Sequence, residues 1–182
     1  MKLLIASDIH GDIECAKATF EKFKNESADK ILLLGDLLYH GPRNDLPSAY
    51  APKEVISLLN QNKDNIIAVR GNCDTEVDQM VLQFPILADY AYLSLDGISV
   101  FATHGHNYGW DNPPPLSSGE ILLTGHTHVL GITEFGNDNY YINPGSVTLP
   151  KQNNPKSYAV YEDGSFTVKD FEGNIIVQRK FK

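Results

Sequence analysis

Three times in the N-terminal part of the chain an unbroken apolar run stops at a polar segment. Leu3-Leu4-Ile5-Ala6 precedes Ser7-Asp8, Ile31-Leu32-Leu33-Leu34 precedes Gly35-Asp36, and Ile66-Ile67-Ala68-Val69 precedes Arg70-Gly71-Asn72. Short apolar runs bounded by turn-forming residues read as strands buried on both faces. Between them, Ala16, Phe20 and Phe23 fall at i, i+4, i+7 on one helix face. Pro52 suits the first turn of a second helix whose apolar side is Val55, Ile56, Leu58 and Leu59. Buried strands alternating with amphipathic helices predict a parallel, covered sheet. The helical period then fades. Strands are predicted at 91–95, 99–103, 121–124, 131–135, 140–142, 158–161, 166–171 and 175–179, with turns at Asp96-Gly97, Asp163-Gly164 and Glu172-Gly173-Asn174. These read as an antiparallel set of hairpins that continues one domain spanning 1–182, with no linker and no internal repeat. The loop 39–51 is long, and long ordered loops beside strand ends often help form sites.

Composition narrows the class. A chain of 182 residues that is 42% hydrophobic and 21% charged can bury a core without staples. Its formal net charge of -8 argues against broad binding to long nucleic acids, which need a basic face. A small anionic substrate stays open, because bound cations can reverse the local field. Two cysteines, Cys15 and Cys73, make no disulfide framework. The N-terminal apolar run ends too early, at Asp8, for a secretory leader, and no apolar stretch approaches bilayer length. A soluble protein of the reducing cytoplasm, with no membrane partner, is expected.

The polar segments at the ends of the apolar runs carry the chemistry. Asp8-Ile9-His10-Gly11, Gly35-Asp36, Gly71-Asn72-Cys73-Asp74, His104-Gly105-His106 and Gly125-His126-Thr127-His128 each place metal-type ligands beside a glycine at the end of a predicted strand. Sites of open α/β sheets form at the carboxyl ends of strands. Asp8 and Asp36 offer carboxylates, Asn72 an amide oxygen, and His10, His104, His126 and His128 imidazoles. The lack of a thiolate pair argues against a structural zinc or iron–sulfur site, and mixed O/N donors suit manganese, iron, zinc or cobalt. Seven candidate ligands exceed the needs of one ion and suit two, with Asp36 as the natural bridge. Two ions roughly 3.5–4 Å apart lower the pKa of a bridging water and clamp phosphoryl oxygens for in-line displacement. Each motif alone has a plainer reading as a turn or a cap; their recurrence at five strand ends favours one shared site.

This series, Asp8-x-His10, Gly35-Asp36, Gly71-Asn72-x-Asp74, His104 and Gly125-His126-x-His128, resembles the calcineurin-like metallophosphoesterases. Ser7-Asp8-Ile9-His10-Gly11, His40-Gly41-Pro42-Arg43-Asn44, Val69-Arg70-Gly71-Asn72-Cys73-Asp74 and Asn143-Pro144-Gly145-Ser146-Val147 carry a closer likeness to the YfcE-type bacterial phosphodiesterases. The resemblance covers nearly the whole chain. It implies a four-layer α/β/β/α sandwich with two facing mixed sheets. It implies one ion on Asp8, His10, Asp36 and His128 and a second on Asp36, Asn72, His104 and His126. Manganese is the ion it favours, with zinc, iron, nickel or cobalt as alternatives. Asn72, Cys73, Asp74 and His104 are the expected catalytic segment.

Many members of that family carry His directly after the motif Asn, as general acid to the leaving group; here that position is Cys73, as in the YfcE-type members. A thiol is a poorer acid for that role, so small phosphodiesters are expected to be cleaved better than alkyl monoesters. His40 or His106 could supply the proton instead, or serve only a supporting role. Arg70 and Arg43 could bind substrate phosphate, and Arg70 could equally be structural. Tyr39, Tyr108 and Trp110 are candidate stacking residues. Asn143-Pro144-Gly145-Ser146 reads as a tight turn with no chemistry of its own. A phosphomonoesterase on the same site is the alternative activity. A non-catalytic scaffold, like the relative found in the retromer complex, is the alternative class, and the completeness of the seven ligands argues against it. A homo-oligomer is left open.

Overall fold

The computed structural model describes residues 1–181. In chain order the elements are β1 (Leu3–Ala6), α1 (Ile13–Asn25), β2 (Lys30–Leu33), α2 (Pro52–Gln61), a 3-10 turn at Lys63–Asn65, β3 (Ile66–Ala68), α3 (Glu76–Val81), β4 (Tyr90–Leu95), β5 (Ile98–Thr103), β6 (Ile121–Leu123), β7 (Gly131–Glu134), β8 (Tyr140–Asn143), β9 (Ser157–Glu162), β10 (Ser165–Asp170) and β11 (Ile175–Lys180). They form a six-stranded sheet, β11-β10-β9-β1-β2-β3, and a five-stranded sheet, β4-β5-β6-β8-β7.

Alternation along β1 shows how the layers assemble. Leu4 and Ala6 join Ile31, Leu33, Phe20, Phe23, Val55 and Leu59 in a core between the first sheet and helices α1 and α2. Leu3 and Ile5, on the other face, join Leu32, Val100, Ala102, Ile121, Leu123 and Ile142 in a core between the two sheets. A strand buried on both faces cannot show period-2 polarity, which is why these runs are uniformly apolar. The N-terminus of α1 is capped by Asp12, whose Oδ1 accepts from Cys15 N at 2.8 Å, a contact that contributes about 1 kcal/mol.

Strands β1, β2 and β3 are parallel, as the sequence pattern predicts. The later strands all exist within a residue or so of their predicted bounds. Their pairing differs from the expected antiparallel set. β5–β6 and β6–β8 are parallel, while β9, β10 and β11 leave the second sheet and extend the first. Both sheets are therefore mixed. On the outer face of the second sheet Tyr90 and Tyr92 are exposed, and residues of the coil after β5 pack against it in places. There Tyr108 packs edge-on against Phe101 at 5.8 Å, and Trp110 against Tyr141 at 5.5 Å. Tyr108 and Trp110, the candidate stacking residues, each make a ring contact with this sheet. Helix α3 is an element that the apolar pattern does not predict; Thr75 and Asp78 form the capping box that starts it. No helix among the described residues is long and apolar enough to cross a membrane.

The C-terminus of α1 is pinned to the first sheet by Glu26. Its carboxylate accepts from Lys169 Nζ at 2.7 Å and Tyr158 Oη at 3.0 Å, and pairs with Lys2 Nζ at 3.3 Å. Burial alone would raise this carboxyl, but Lys169 and Tyr158 outweigh it and hold the group below its ordinary value. A carboxyl depressed in the folded state stabilises above its unfolded pKa, and that contribution is lost as pH falls through the folded pKa. Glu26→Gln is therefore expected to cost about 1 kcal/mol at neutral pH. Urea denaturation at stepped pH should show the gap from wild type shrinking once pH drops below the ordinary glutamate range. A gap independent of pH down to strong acid would contradict this account.

Candidate metal centre

The ends of β1, β2, β3, β5 and β6 converge, so that loops far apart in sequence pack backbone to backbone. Asp8 N donates to Gly35 O at 3.1 Å, His10 N to Asp36 O at 2.9 Å, and Gly125 N to His104 O at 2.8 Å. Two glycines permit this approach. A Cβ on Gly71 would lie 2.1 Å from Asp36 Oδ1, and one on Gly125 would lie 1.9 Å from Ser7 Oγ. Asp8, His10, Asp36, His126 and His128 all adopt left-handed backbone, with φ between 51 and 63°. Each such residue costs about 1 kcal/mol or more, and strain of this kind gathers at functional sites.

Backbone carbonyls orient three imidazoles. His10 Nδ1–H donates to Tyr39 O at 2.9 Å, His104 Nδ1–H to Leu34 O at 2.6 Å, and His128 Nδ1–H to Leu149 O at 2.6 Å. A carbonyl only accepts, so Nδ1 carries a proton in each ring, and Nε2 is the nitrogen left to ligate a cation. The Nε2 atoms face one another and the carboxylates. His10 Nε2 and His128 Nε2 are 3.3 Å apart, and Asp8 Oδ1 lies 3.5 and 3.1 Å from them. Asp36 Oδ2 sits between His10 Nε2 at 3.7 Å and His104 Nε2 at 3.6 Å. Asn72 Oδ1 and His126 Nδ1 approach His104 Nε2 at 3.1 and 3.2 Å. All seven candidate ligands from the sequence are thus brought together, in two sets that meet at Asp36.

The electrostatics fit a cationic occupant. Asp8 Oδ1 is buried with no hydrogen-bond partner, a costly arrangement for a carboxylate oxygen. Burial would raise the Asp8 carboxyl, but the His10 and His128 imidazoles outweigh it and hold it well below the usual carboxylate range. Such a balance requires positive charge in the space between them, which protons or metal cations can supply. Burial and then His104 push His126 down to about 4, leaving a neutral, ligand-competent ring. Atoms of Asp8, His10 and His128, and of Asp8, Asp36 and His104, lie within 4.8 Å of one another. This is a donor set for oxygen- and nitrogen-preferring divalent ions.

The remaining sequence candidates fall around this centre. Asp74 accepts from Asp36 N and Gly71 N at 2.8 Å and from Leu37 N at 2.9 Å. Its carboxylate thus holds the β2 and β3 loops together and is not free for a substrate. Cys73 N donates to Asp36 Oδ1 at 2.8 Å, and its Sγ lies within 4.8 Å of ligand atoms of His10 and Asp36. Burial and then Asp36 push this thiol up from its ordinary value. His106 is half-buried, with ring centroids 5.4 Å from His104 and 6.2 Å from His126. Burial and then His104 push it down from its ordinary value. His40 packs edge-on between Tyr39 and Tyr50. Arg70 Nε donates to Asp74 O at 3.2 Å, which makes it at least partly structural. Arg43, Asn44 and Lys151 line a cleft of about 370 Å³ that contains Asp36, Asn72, His126 and His128.

The turn 143–146 is more than the plain turn its sequence predicts: it buttresses the centre. Asn143 Nδ2 donates to Gly125 O at 2.7 Å, and Ser146 Oγ donates to Asp8 O at 3.1 Å. Ser146 Oγ also accepts from Leu149 N at 2.8 Å, and Leu149 O in turn receives the His128 proton. Local sequence shows only a turn, since the partners lie up to 138 positions away. Lys151 is a further residue of the site that sequence reasoning misses. Its N–H bonds His128 O at 3.1 Å, and no local motif marks it.

Mixed facing sheets with a carboxylate–imidazole cluster at their strand ends define a metallophosphoesterase. The chain belongs to the calcineurin-like phosphoesterase superfamily, whose domain matches residues 1–164. Membership implies divalent metal ions. Among individual relatives, the chain is 45% identical to Phosphodiesterase YfcE of Escherichia coli K12 over 168 residues, covering 92% of this chain and 91% of the relative. It is 28% identical to Phosphodiesterase MJ0936 of Methanocaldococcus jannaschii over 153 residues, covering 80% and 83%. The solved structure of the E. coli phosphoesterase YfcE superposes with a TM-score of 0.96 at 43% identity over 100% of both chains. That of Vps29 from Chaetomium thermophilum superposes with a TM-score of 0.62 at 15% identity, over 99% of this chain and 98% of that one, and shares the fold alone.

Asp74→Ala would strand three buried N–H groups. The expected loss is about 3 kcal/mol or more in urea denaturation. Metal affinity in a titration is expected to fall by about 10- to 100-fold, because the Asp36 loop loses its support. Wild-type values for both would contradict the positioning role.

Proposed function

We propose that the protein is a metal-dependent phosphodiesterase that cleaves small phosphodiesters by in-line displacement at a dinuclear centre. The observation that carries this reading is Asp36 Oδ2, nearly equidistant from His10 and His104 and so placed to be shared by two ions. Asp8, His10 and His128 would complete one coordination shell, and Asn72, His104 and His126 the other. Manganese is the favoured metal, with zinc, iron, nickel or cobalt as alternatives. Bound ions would neutralise the phosphoryl oxygens and acidify a water for attack on phosphorus.

The chain's own residues do the rest. The three carbonyl-anchored imidazoles keep their lone pairs fixed, so no reorganisation is needed as charge develops. Asp74 sets the position of Asp36 and of the loop that carries Asn72 and Cys73. Cys73, beside Asn72, would face the leaving group as a thiol and would be a weak proton donor there. This supports diesters with good leaving groups over alkyl monoesters. His106 and Arg70 would contact substrate from the β5 and β3 sides of the centre, and Arg43 and Lys151 would offer positive charge on the cleft wall. His40 would act through the loop it packs in. The 45% identity to a named phosphodiesterase supports the diester preference. The free, buried thiols of Cys15 and Cys73 suit a reducing cytoplasm.

The test strips the protein of metal and compares a bis-aryl phosphodiester with the matching aryl monoester, with and without Mn²⁺. Turnover of the diester is expected to require metal and to exceed that of the monoester. Asp36→Asn is expected to lower diester kcat by at least about 10³-fold, on the scale seen when electrostatic catalytic groups are removed. A monoester preference would overturn the substrate class. Absence of turnover in folded, metal-loaded protein would overturn the enzyme reading.

A further inference from the structure

A second cavity, of about 440 Å³, lies between α2, α3 and the segment after β2. Leu38, Tyr39, Tyr50, Ile56, Cys73 and Val81 contribute to its walls. Aromatic and aliphatic groups dominate, with Lys53 and Asp78 among the few charged residues. Pockets of this size and character take small apolar groups. Two links tie it to the metal centre. Cys73 lines this cavity and also the metal cleft, and its Sγ is within 4.8 Å of ligand atoms of His10 and Asp36. Tyr39 contributes to the wall and, through its backbone oxygen, fixes the His10 ring. Cys73 therefore stands in the walls of both the metal cleft and the apolar pocket.

We propose that this cavity is a substrate subsite that receives an apolar or aromatic ester substituent of a phosphoryl group held at the metal centre. The proposal rests on the phosphoesterase reading of that centre. The shared Cys73 wall argues for the substrate itself as occupant. A group attached to phosphorus in the cleft would lie next to the cavity across the shared Cys73, whose side chain is small. The polar, cation-bearing cleft on the other side of Cys73, with Arg43 and Lys151, suits a charged or hydrated substituent. The two cavities thus sort the two ester arms of a diester by polarity. The exposed apolar residues Val77 and Met80, on α3, extend the same surface outward.

The test is a calorimetric titration of Mn²⁺-loaded protein with phenylphosphonate and with methylphosphonate, which share a headgroup and differ only in the apolar arm. Phenylphosphonate is expected to bind at least about tenfold more tightly, as burial of an aromatic ring predicts. Ile56→Trp, which fills the cavity, is expected to abolish that preference and leave methylphosphonate affinity unchanged. Val77→Glu places a carboxylate at an exposed position where folding is not at stake, and is expected to reduce the preference as well. Equal affinities in the wild-type protein, or a preference that survives both variants, would overturn the subsite. Light scattering on the same samples separates the other occupant. A dimer that Val77→Glu dissociates, with the phenyl preference unchanged, would assign the surface to a second copy of the chain and overturn the proposal. Phosphonate binding with this selectivity but no diester turnover would contradict the diesterase reading while leaving the subsite standing.

Discussion

Two imidazole Nε2 atoms 3.3 Å apart, beside a buried carboxylate oxygen that has no hydrogen-bond partner, need positive charge among them, from protons or from a metal cation. Much of the structure around the strand ends holds that arrangement in place. Carbonyls of Leu34, Tyr39 and Leu149 take the outer protons of His104, His10 and His128. Asp74 ties the β2 and β3 loops with three amide hydrogen bonds, and Ser146 ties the β1 loop to the segment that orients His128. Five ligands are in left-handed backbone, so the local conformation is strained as well as charged. Such a cluster persists only when packing elsewhere over-determines it.

That packing comes from the first sheet. Because β1 and β2 are buried on both faces, their ends cannot shift without disturbing two cores at once. Interiors packed at crystal-like density leave little room for even small displacements. Candidate ligands mounted at the ends of such strands are therefore held in place firmly. The same rigidity suits a catalyst whose main contribution is a fixed electrostatic field.

The site is legible in the sequence to an unusual degree, for a physical reason. A doubly buried strand must be apolar, and a ligand loop must break it with a charged residue and a glycine, so each strand end announces itself. Asp8, Asp36, Asn72, His104 and His126 can be read this way. The partition of the late strands cannot. Alternation says that a strand has a buried face but not which sheet buries it, and β9 joins β1 across more than 150 positions of chain. Its unbroken run Tyr158-Ala159-Val160-Tyr161 is the β1 signature again, with Tyr158 and Val160 in one core and Ala159 and Tyr161 in the other. Helix α3 escapes notice because Val77, Met80 and Val81 are exposed and no core face marks it. The buttress at 143–149 escapes because hydrogen bonds to remote backbone leave no local pattern.

The direct measurement is anomalous diffraction from crystals grown with Mn²⁺. The account predicts two peaks roughly 3.5–4 Å apart, one among Asp8, His10 and His128, one among Asn72, His104 and His126, with Asp36 between them. A single peak at full metal loading, or peaks that do not share Asp36, would contradict it.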